Sequence, residues 1–320
     1  MAAQKSPSAS AHRIPRIPPI GPHSTPFRST GRRRRTDISV WVLSAIALLV
    51  VAAPVGWILA SIVGQAVLDW HWSVLSTPSV GTSGGLSNAI VGSAVIAGSV
   101  LVCAGVAGIA AGIYIAEYAP PAKASFLRGA SEILSGVPSI VLGYVGYTTL
   151  VVSFHWGFSL AAATATLTVL VLPYIVKATE VALGQVPTSY REAAEALGFP
   201  PFRVLRAAVL RPAIPGIATG LIVAVAIALG ETAPLLYTAG WSDRMPSLQP
   251  VHAPIAYLPY AVWTFYNEPY PSAHALSHDA ALLLILFVLL LIVVSRVVVL
   301  TSQRHAPTAR AKRGNSLRPR

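Results

Sequence analysis

Long apolar runs separated by short polar segments form the pattern of this chain. Six of these runs have about 18 residues or more, which is the length that a helix needs to cross a hydrocarbon core roughly 30 Å thick. The pattern therefore predicts an all-α integral membrane protein with six transmembrane helices. Their expected bounds are Ile38 to Val67, Leu86 to Ala116, Ala130 to Val152, Ser159 to Val176, Ala213 to Ala239 and Leu276 to Leu300.

The composition agrees with a membrane protein, because 54% of the residues are hydrophobic and 11% are charged. The net charge of +12 does not indicate nucleic acid, since the basic residues are sorted by side. With the amino terminus in the cytoplasm, the six spans leave only Arg244 outside, as the positive-inside rule expects. Both termini are therefore expected in the cytoplasm. The basic residues on that side are Lys5 to Arg35, Lys123, Arg128, Lys177 to Arg211 and Arg296 to Arg320.

Three regions are expected along the chain. Residues 1–35 are rich in Pro, Ser and Arg and are expected to be a disordered basic tail, and residues 301–320 are expected to be a second one. Residues 36–300 form the membrane domain. Its first apolar run is too long for a cleaved signal peptide and is expected to be retained. Cys103 is the single cysteine, which excludes an intrachain disulfide, and we expect it to be a small buried side chain of the second span.

Two apolar runs contain helix-breaking residues. Proline removes a backbone hydrogen bond, and a broken helix at membrane depth is tolerated only where protein or a water-filled cavity surrounds it. An ionisable side chain in such a run is costly and by default marks a pathway or a functional contact. Both breaks are therefore expected to face a translocation route, with a lipid-shielded kink as the alternative. The residues concerned are Pro138 and Ser139 in the third span, and Gly230, Glu231, Thr232 and Pro234 in the fifth.

Two further stretches have patterns of their own. The second span carries small residues at three- and four-residue intervals, which lets helix backbones approach closely in lipid. It is expected to be a packing helix, although its glycines could instead hinge a gate. The segment from Trp241 to Ala275 is rich in proline and aromatic residues. It is interpreted as a set of interface anchors, as a docking surface for an external partner, or as a re-entrant turn.

The polar segment between the fourth and fifth spans predicts a short helix. Ser189 with Glu192 forms a capping-box pattern at its start, and Gly198 is placed to end it in the left-handed conformation before Pro200. So short a helix is unstable alone in water, so a partner is expected to hold it. Its expected contact face consists of Tyr190, Ala193, Ala194 and Leu197.

The string from Glu192 to Gly198 resembles the EAA loop of permease subunits in binding-protein-dependent ABC importers. In this family the loop is a coupling helix that docks on a separate ATPase subunit. The resemblance implies an EAA loop over residues 179–212. The implied ATPase-coupling residues are Ser189, Tyr190, Glu192, Ala193, Ala194, Leu197 and Gly198.

The chain is more closely similar to PstA-type permeases of the phosphate importer, in the strings 229–236, 134–140 and 84–90. This resemblance implies a MetI-like fold and import of inorganic phosphate across a bacterial plasma membrane. It also implies three partners: a cytoplasmic ATPase dimer, a second homologous permease subunit and an extracytoplasmic phosphate-binding protein. No Gly-x-x-x-x-Gly-Lys-Ser/Thr phosphate loop occurs, so nucleotide hydrolysis is expected from another chain. The subunit is expected to be non-catalytic, without cofactor or metal.

The charges near the membrane lead to two expectations. Lys177 and Glu180 occupy positions where relatives carry a basic residue and an acid; they are expected to form an i, i+3 pair at a helix end or to line the inner vestibule. Glu231 lies roughly 27 Å above the start of the fifth span at Ala213, where this chain supplies no cation. We expect Glu231 to pair with a second permease subunit or to accept backbone N–H groups freed at the break. Ile227 stands where relatives commonly have arginine, so no phosphate contact is implied there.

Two alternatives to a phosphate permease remain open from the sequence. One is a permease for another oxyanion, such as sulfate, molybdate or phosphonate. The other is an ion-gradient-driven carrier or a channel. Carriers often contain repeated broken helices, and the two halves of this chain show no such repeat by eye.

Overall fold

The structure, a computed structural model, describes the backbone of residues 31–247 and 249–304 and the side chains of residues 38–247 and 249–301. Helices form nearly all of its regular structure, with one hairpin of two short strands. The helices are α1 (Gly31–Asp69), α2 (Ser73–Ser76), α3 (Ser87–Ile113), α4 (Pro121–Ser135), α5 (Ser139–Gly146), α6 (Leu160–Gly184), α7 (Thr188–Ala196), α8 (Pro201–Arg203), α9 (Arg211–Gly230), α10 (Ala233–Thr238), α11 (Leu258–Tyr266) and α12 (Pro271–Arg304). Three wider π-helical turns are π1 (Tyr114–Tyr118), π2 (Tyr147–Ser153) and π3 (Val204–Leu210), and the strands are β1 (Ser79–Val80) and β2 (Ser83–Gly84).

Five helices of the described chain are long and apolar enough to cross a membrane, and a bent pair supplies a sixth crossing if it counts as one span. The pair consists of residues 121–135 and 139–153, which meet at 94°. The prediction of six membrane-crossing segments is confirmed on this count. The five long helices are Ile38–Asp69, Ser87–Tyr118, Leu160–Gly184, Pro201–Gly230 and Pro271–Thr301.

The described chain divides into two units at Trp57 and Ile58. The first unit is the helical stretch of α1 up to Trp57, in which every described side chain is exposed. Helix α1 starts at Gly31, so residues 31–35 of the expected disordered tail are helical, and α12 likewise extends to Arg304. Residues 1–30 and 305–320 lie outside the described residues, so the expectation of disorder there stays a prediction.

In the second unit, α3 packs against α6 and α9. A Cβ atom added to Gly108 would lie 2.7 Å from Cβ of Ile175, and one added to Gly112 would lie 2.6 Å from Cβ of Thr179. Both positions require glycine, because the backbone of α3 lies directly against side chains of α6 there. The prediction that the second span is a packing helix is confirmed. Cys103 of α3 is exposed, so the prediction of a buried cysteine was wrong. The small residues pack on another face of the helix.

Helices α6 and α9 meet through a second set of small residues. A Cβ added to Gly216 would lie 2.8 Å from Cβ of Ala182, and one added to Gly220 would overlap with Ala178. Both helices therefore present small residues four positions apart to each other, as in close helix pairs in membranes. Since α6 approaches both α3 and α9 at backbone distance, these three helices form the closely packed centre of the second unit.

The segment after α10 folds back into this centre. The N–H of Leu258 donates to Oγ of Ser93 at 2.8 Å, and Gly92 provides the space for the carbonyl of Ala256. Tyr257 is buried beside them, and burial raises the pKa of its hydroxyl above the ordinary value. The indole of Trp241 stacks on Tyr260 with ring centroids 4.5 Å apart. These aromatic residues thus pack against one another within the protein.

The hairpin of β1 and β2 is fixed to the loop that follows α10. The register pairs Ser79 with Gly84, and the carboxylate of Asp243 accepts hydrogen bonds from Oγ of Ser79 at 3.2 Å and from N–H of Gly81 at 3.4 Å. The amide of Asn88, at the start of α3, donates to Oγ of Ser79 and to the carbonyl of Ser242. The first residues of α3 are therefore tied to both segments.

Candidate functional site: an exposed helix and two broken helices

Helix α7 begins two residues before the start that the capping-box pattern predicts, since Ser189 as N-cap would make Tyr190 the first helical residue. Its first residue is Thr188, the preceding Pro187 has an extended backbone, and no side-chain hydrogen bond caps the start. The carbonyl of Pro187 accepts the N–H of Tyr190 at 3.1 Å and so takes the place of a capping side chain. Ser189 therefore lies within the first turn, and its prediction as N-cap was wrong.

The end of α7 has the predicted form. Gly198 has a φ of +74°, in the left-handed region that favours glycine. Its N–H donates to the carbonyl of Glu195 at 2.8 Å, and the N–H of Phe199 donates to the carbonyl of Ala194 at 3.2 Å. This pair of bonds is the Schellman motif, which satisfies the last carbonyl groups of a helix. The prediction that Gly198 ends the helix is confirmed.

The predicted contact face of α7 divides into two parts. Tyr190 and Leu197 are 51% and 74% exposed, and Glu192 and Ala193 are exposed as well. Ala194 is 6% exposed and is the single buried residue of α7, which packs against π3. Ala194 was wrongly included in the outward face, because the helix turns it towards the membrane domain. The remaining residues form an exposed surface next to the two membrane helices that α7 connects.

One side chain of α7 reaches the membrane domain through an ion pair that the sequence analysis missed. The guanidinium of Arg191 donates two hydrogen bonds to Glu117 of π1, one of them from Nη2 to Oε1 at 2.7 Å. These bonds raise the pKa of Arg191 above its ordinary value, although burial acts in the opposite direction. Two features of the sequence could have indicated this ion pair. They are a carboxylate at the end of an apolar span and an arginine on a short polar helix.

The predicted pair of Lys177 and Glu180 does not form. Glu180 instead accepts a hydrogen bond from Nε of Arg128 on α4, and Lys177 is exposed without an ion pair to any described residue. The three side chains line a cavity of about 250 Å³ between α4 and α6, together with Ser131 and Glu132. The i, i+3 prediction was wrong because α4 brings a guanidinium within reach of Glu180, which sequence spacing does not reveal.

The two predicted helix breaks are both present, and the helices that follow them pack together. Helix α4 ends at Ser135 and α5 starts at Ser139 directly after Pro138. Helix α9 ends at Gly230, the following residue is extended, and α10 starts at Ala233. A Cβ added to Gly143 of α5 would lie 2.6 Å from Cα of Pro234 on α10, so the two short helices touch at backbone distance.

Glu231 lies at the second break with a half-buried side chain. Its own N–H donates to the carbonyl of Ala228 at 3.3 Å, and its carboxylate forms no hydrogen bond or ion pair with any described residue. The expectation that it accepts backbone N–H groups of the break is therefore wrong. The N–H of Leu236 donates instead to the carbonyl of Thr232 as α10 begins. Pairing with a second subunit stays a prediction.

No group of three or more His, Cys, Asp or Glu side chains placed to hold a metal ion occurs among the described residues. The described residues instead form an exposed helix that is anchored by an ion pair, and two broken helices whose following segments pack together. Residues 108–305 match the model of the binding-protein-dependent transport system inner membrane component family. The chain belongs to this family.

Several curated relatives are named as phosphate transport system permease proteins. The chain is 52% identical over 282 residues to the phosphate transport system permease proteins PstA 2 of Mycobacterium bovis and Mycobacterium tuberculosis, covering 88% of this chain and 94% of each relative. It is 37% identical to the phosphate transport system permease protein PstA of Yersinia pestis, covering 83% of this chain and 90% of the relative.

Solved structures support the fold of the inner membrane component. The MetNI methionine ABC transporter in an inward-facing conformation contains a chain that matches with a TM-score of 0.57 and 20% identity, covering 68% of this chain and 95% of that one. At this identity the likeness shows the fold alone. The predicted MetI-like permease fold is confirmed, and the α7 segment and both breaks fall inside the matched family region.

Proposed function

We propose that this chain is the membrane-spanning permease subunit of an ATP-driven importer of inorganic phosphate. The observation that carries the proposal is α7, an exposed two-turn helix between two membrane helices that ends in a Schellman motif. An exposed rigid helix of this kind suits docking into a cleft of another protein. The substrate is inferred from the relatives named as phosphate transport permeases, which match 88% of this chain.

The proposed assembly places α7 and both termini in the cytoplasm, in agreement with the distribution of basic residues. A dimer of ATPase subunits binds exposed residues of α7 and of its C-terminal cap, among them Ser189, Tyr190, Glu192, Ala193 and Leu197. A second, homologous permease subunit completes the channel, and a phosphate-binding protein delivers the anion from outside. This chain contributes no nucleotide chemistry, because its sequence contains no phosphate-binding loop of the Gly-Lys-Ser/Thr type.

The proposed translocation route passes the two broken helices and the cavity beside α6. Glu231, with Gly230, Thr232 and Pro234, shapes the outer gate, while Pro138 and Ser139 start the helix that packs against it. Lys177 lines the route at the inner end, where its ammonium, which has no ion-pair partner among the described residues, attracts the departing anion. Glu180 forms an ion pair with Arg128. The positive charge of the guanidinium weakens the repulsion between this carboxylate and phosphate, compared with an unpaired carboxylate.

Reconstitution of the complete importer in proteoliposomes tests the proposed function. Radiolabelled phosphate should accumulate only when ATP, the ATPase subunit and the binding protein are all present. Excess sulfate, molybdate or phosphonate should not compete. Competition by one of these anions would reassign the substrate, and accumulation with this chain alone would indicate a gradient-driven carrier.

Charge reversal on α7 tests the docking part of the proposal. The Glu192→Lys, Glu195→Lys double variant should lose co-purification of the ATPase subunit, because both carboxylates lie on the exposed helix. The Glu268→Lys variant is the matched control, since Glu268 lies in the segment placed on the opposite side. Equal co-purification by the double variant and the control would contradict docking at α7.

A further inference from the structure

We propose that the ion pair between Arg191 and Glu117 is the strut that transmits the movement of α7 to α3, so that the outer end of the channel responds to the ATPase subunit. The proposal rests on the proposed function and adds a residue pair to it. Neither residue contacts the solute in this scheme. Both are positioning residues, which act through the helices that carry them.

The geometry of the pair suits a mechanical link. The side chain of Glu117 is 10% exposed and that of Arg191 is 31% exposed, so water reaches the pair only partly. Both Nη atoms of Arg191 donate to the two carboxylate oxygens of Glu117. A bidentate guanidinium–carboxylate contact fixes orientation as well as distance, because both groups are planar. Such a contact resists rotation of α7 relative to α3, which a single hydrogen bond would not.

The pair is also one of the few connections between α7 and the membrane domain. Ala194 is the single buried residue of α7, and its small side chain packs on the side of π3. Apolar burial therefore contributes little to the position of this helix. Helix α7 is connected to its neighbours through the chain at both ends. Among the described residues, its side-chain hydrogen bonds to a long membrane helix are those from Arg191 to Glu117.

Glu117 stands at a suitable place to receive the movement. It lies in π1, which continues α3 without interruption from Ile113 to Tyr114. Wider turns of this kind occur often at functional sites, since they redirect a side chain relative to the helix before them. Here the carboxylate reaches the guanidinium on α7, which follows α6 in the chain and is remote from α3 in sequence.

From Glu117 the movement has a continuous structural route to the other end of the membrane domain. Gly108 and Gly112 hold α3 at backbone distance from α6, so the two helices shift together. Near the opposite end of α3, Oγ of Ser93 accepts a hydrogen bond from the N–H of Leu258. The carbonyl of Ala256 packs directly against Gly92 of the same helix. A displacement at Glu117 is therefore carried by one stiff helix to the segment that folds back between Trp241 and α11.

The test compares solute uptake with ATP hydrolysis in the complete importer. The Glu117→Gln variant removes one charge and preserves side-chain shape, while the Arg191→Gln variant removes one charge and shortens the side chain. Phosphate taken up per ATP hydrolysed should fall about tenfold in each variant, within the range of coupling between distant sites. Co-purification of the ATPase subunit should stay unchanged, because the exposed face of α7 is intact.

Two further variants separate coupling from folding. Exchange of the charges in the Arg191→Glu, Glu117→Arg double variant should restore uptake per ATP to within about twofold of wild type, since the ion pair can form again. The Arg206→Gln variant is the matched control, because Arg206 is exposed on π3 and removal of its charge should leave the ratio unchanged.

The outcomes distinguish this proposal from the proposed function. Absence of ATP-driven phosphate uptake by the wild-type importer refutes the function; if another oxyanion is taken up, the ratio is measured with that anion. Where the wild-type importer works, an unchanged ratio of solute taken up to ATP hydrolysed in both single variants overturns the proposal that the ion pair transmits movement. A parallel loss of assembled complex, hydrolysis and uptake, with the ratio preserved, also overturns it, because the pair would then serve folding alone.

Discussion

Glu231 shows at the scale of a single residue why a membrane carboxylate deserves functional testing. Its side chain is half-buried at the break between α9 and α10 and has no bonding partner among the described residues. A carboxylate in such a place is costly to desolvate unless another group stabilises it. In the proposed importer that group belongs to the second permease subunit.

The Glu231→Gln variant should therefore reduce uptake about tenfold or more while the importer still assembles, because the amide keeps the shape and removes the charge. Uptake into proteoliposomes and the yield of intact complex measure the two effects. Glu268→Gln serves as the control on the same proposed side of the membrane. Normal uptake by the Glu231→Gln variant would contradict the role in the gate.

The close contact between α3 and α6 gives a second test at the residue scale. The Gly112→Ala variant should lower the stability of the protein by about 1–3 kcal/mol, because the added Cβ would lie 2.6 Å from Cβ of Thr179. Thermal unfolding in detergent measures the change. The Gly98→Ala variant on the same helix should be neutral or slightly stabilising, since nothing lies within 4 Å of its Cβ. Equal unfolding temperatures for the two variants would argue against a tight α3–α6 interface.

At the scale of elements, α7 illustrates which local rules survive folding. The glycine at its end was predictable, because few other residues adopt the left-handed backbone that a Schellman motif needs. The beginning was predicted two residues too late, because the carbonyl of Pro187 caps the helix without any side chain. Local chemistry therefore specified where the helix ends better than how it starts.

The Gly198→Ala variant tests the importance of that end. It should loosen the last turn of α7 by roughly 1–2 kcal/mol, because alanine at a φ of +74° is strained although its Cβ would have open space. Binding of the ATPase subunit should weaken severalfold in a titration followed by light scattering. Gly184→Ala, at the end of α6, has equal space and an ordinary backbone and should bind normally.

The broken helices show a different relation between sequence and structure. Proline and glycine predicted both interruptions, since they act on their own backbone. Contact between α5 and α10 was not predictable, because it depends on Gly143 facing Pro234 across two separate segments. The proposed gate is therefore an arrangement of two elements rather than a property of either sequence string.

At the scale of the whole molecule, the orientation in the membrane is the central prediction. The distribution of basic residues predicts that α7 lies inside and that the segment after α10 lies outside. In a Cys103→Ser background, a membrane-impermeant maleimide added to intact cells should label the Ser247→Cys variant and leave the Ser189→Cys variant unlabelled. After permeabilisation of cells that lack the ATPase subunit, both should react, since both positions are exposed in this chain. Labelling of Ser189→Cys from outside would show that the predicted orientation is reversed. Helix α7 would then lie on the side of the membrane away from the ATPase subunit.

The amino-acid sequence by itself determined the membrane class, the six apolar segments, both helix breaks and the end of α7 at Gly198. These features depend on hydrophobic length, on backbone restrictions of proline and glycine, and on residues close together in the chain. The tertiary structure decided which charges meet: Glu117 with Arg191, and Glu180 with Arg128 instead of Lys177. It also turned Ala194 inward and Cys103 outward. Such contacts depend on which helices are neighbours and on their rotation, and periodicity within one segment contains neither.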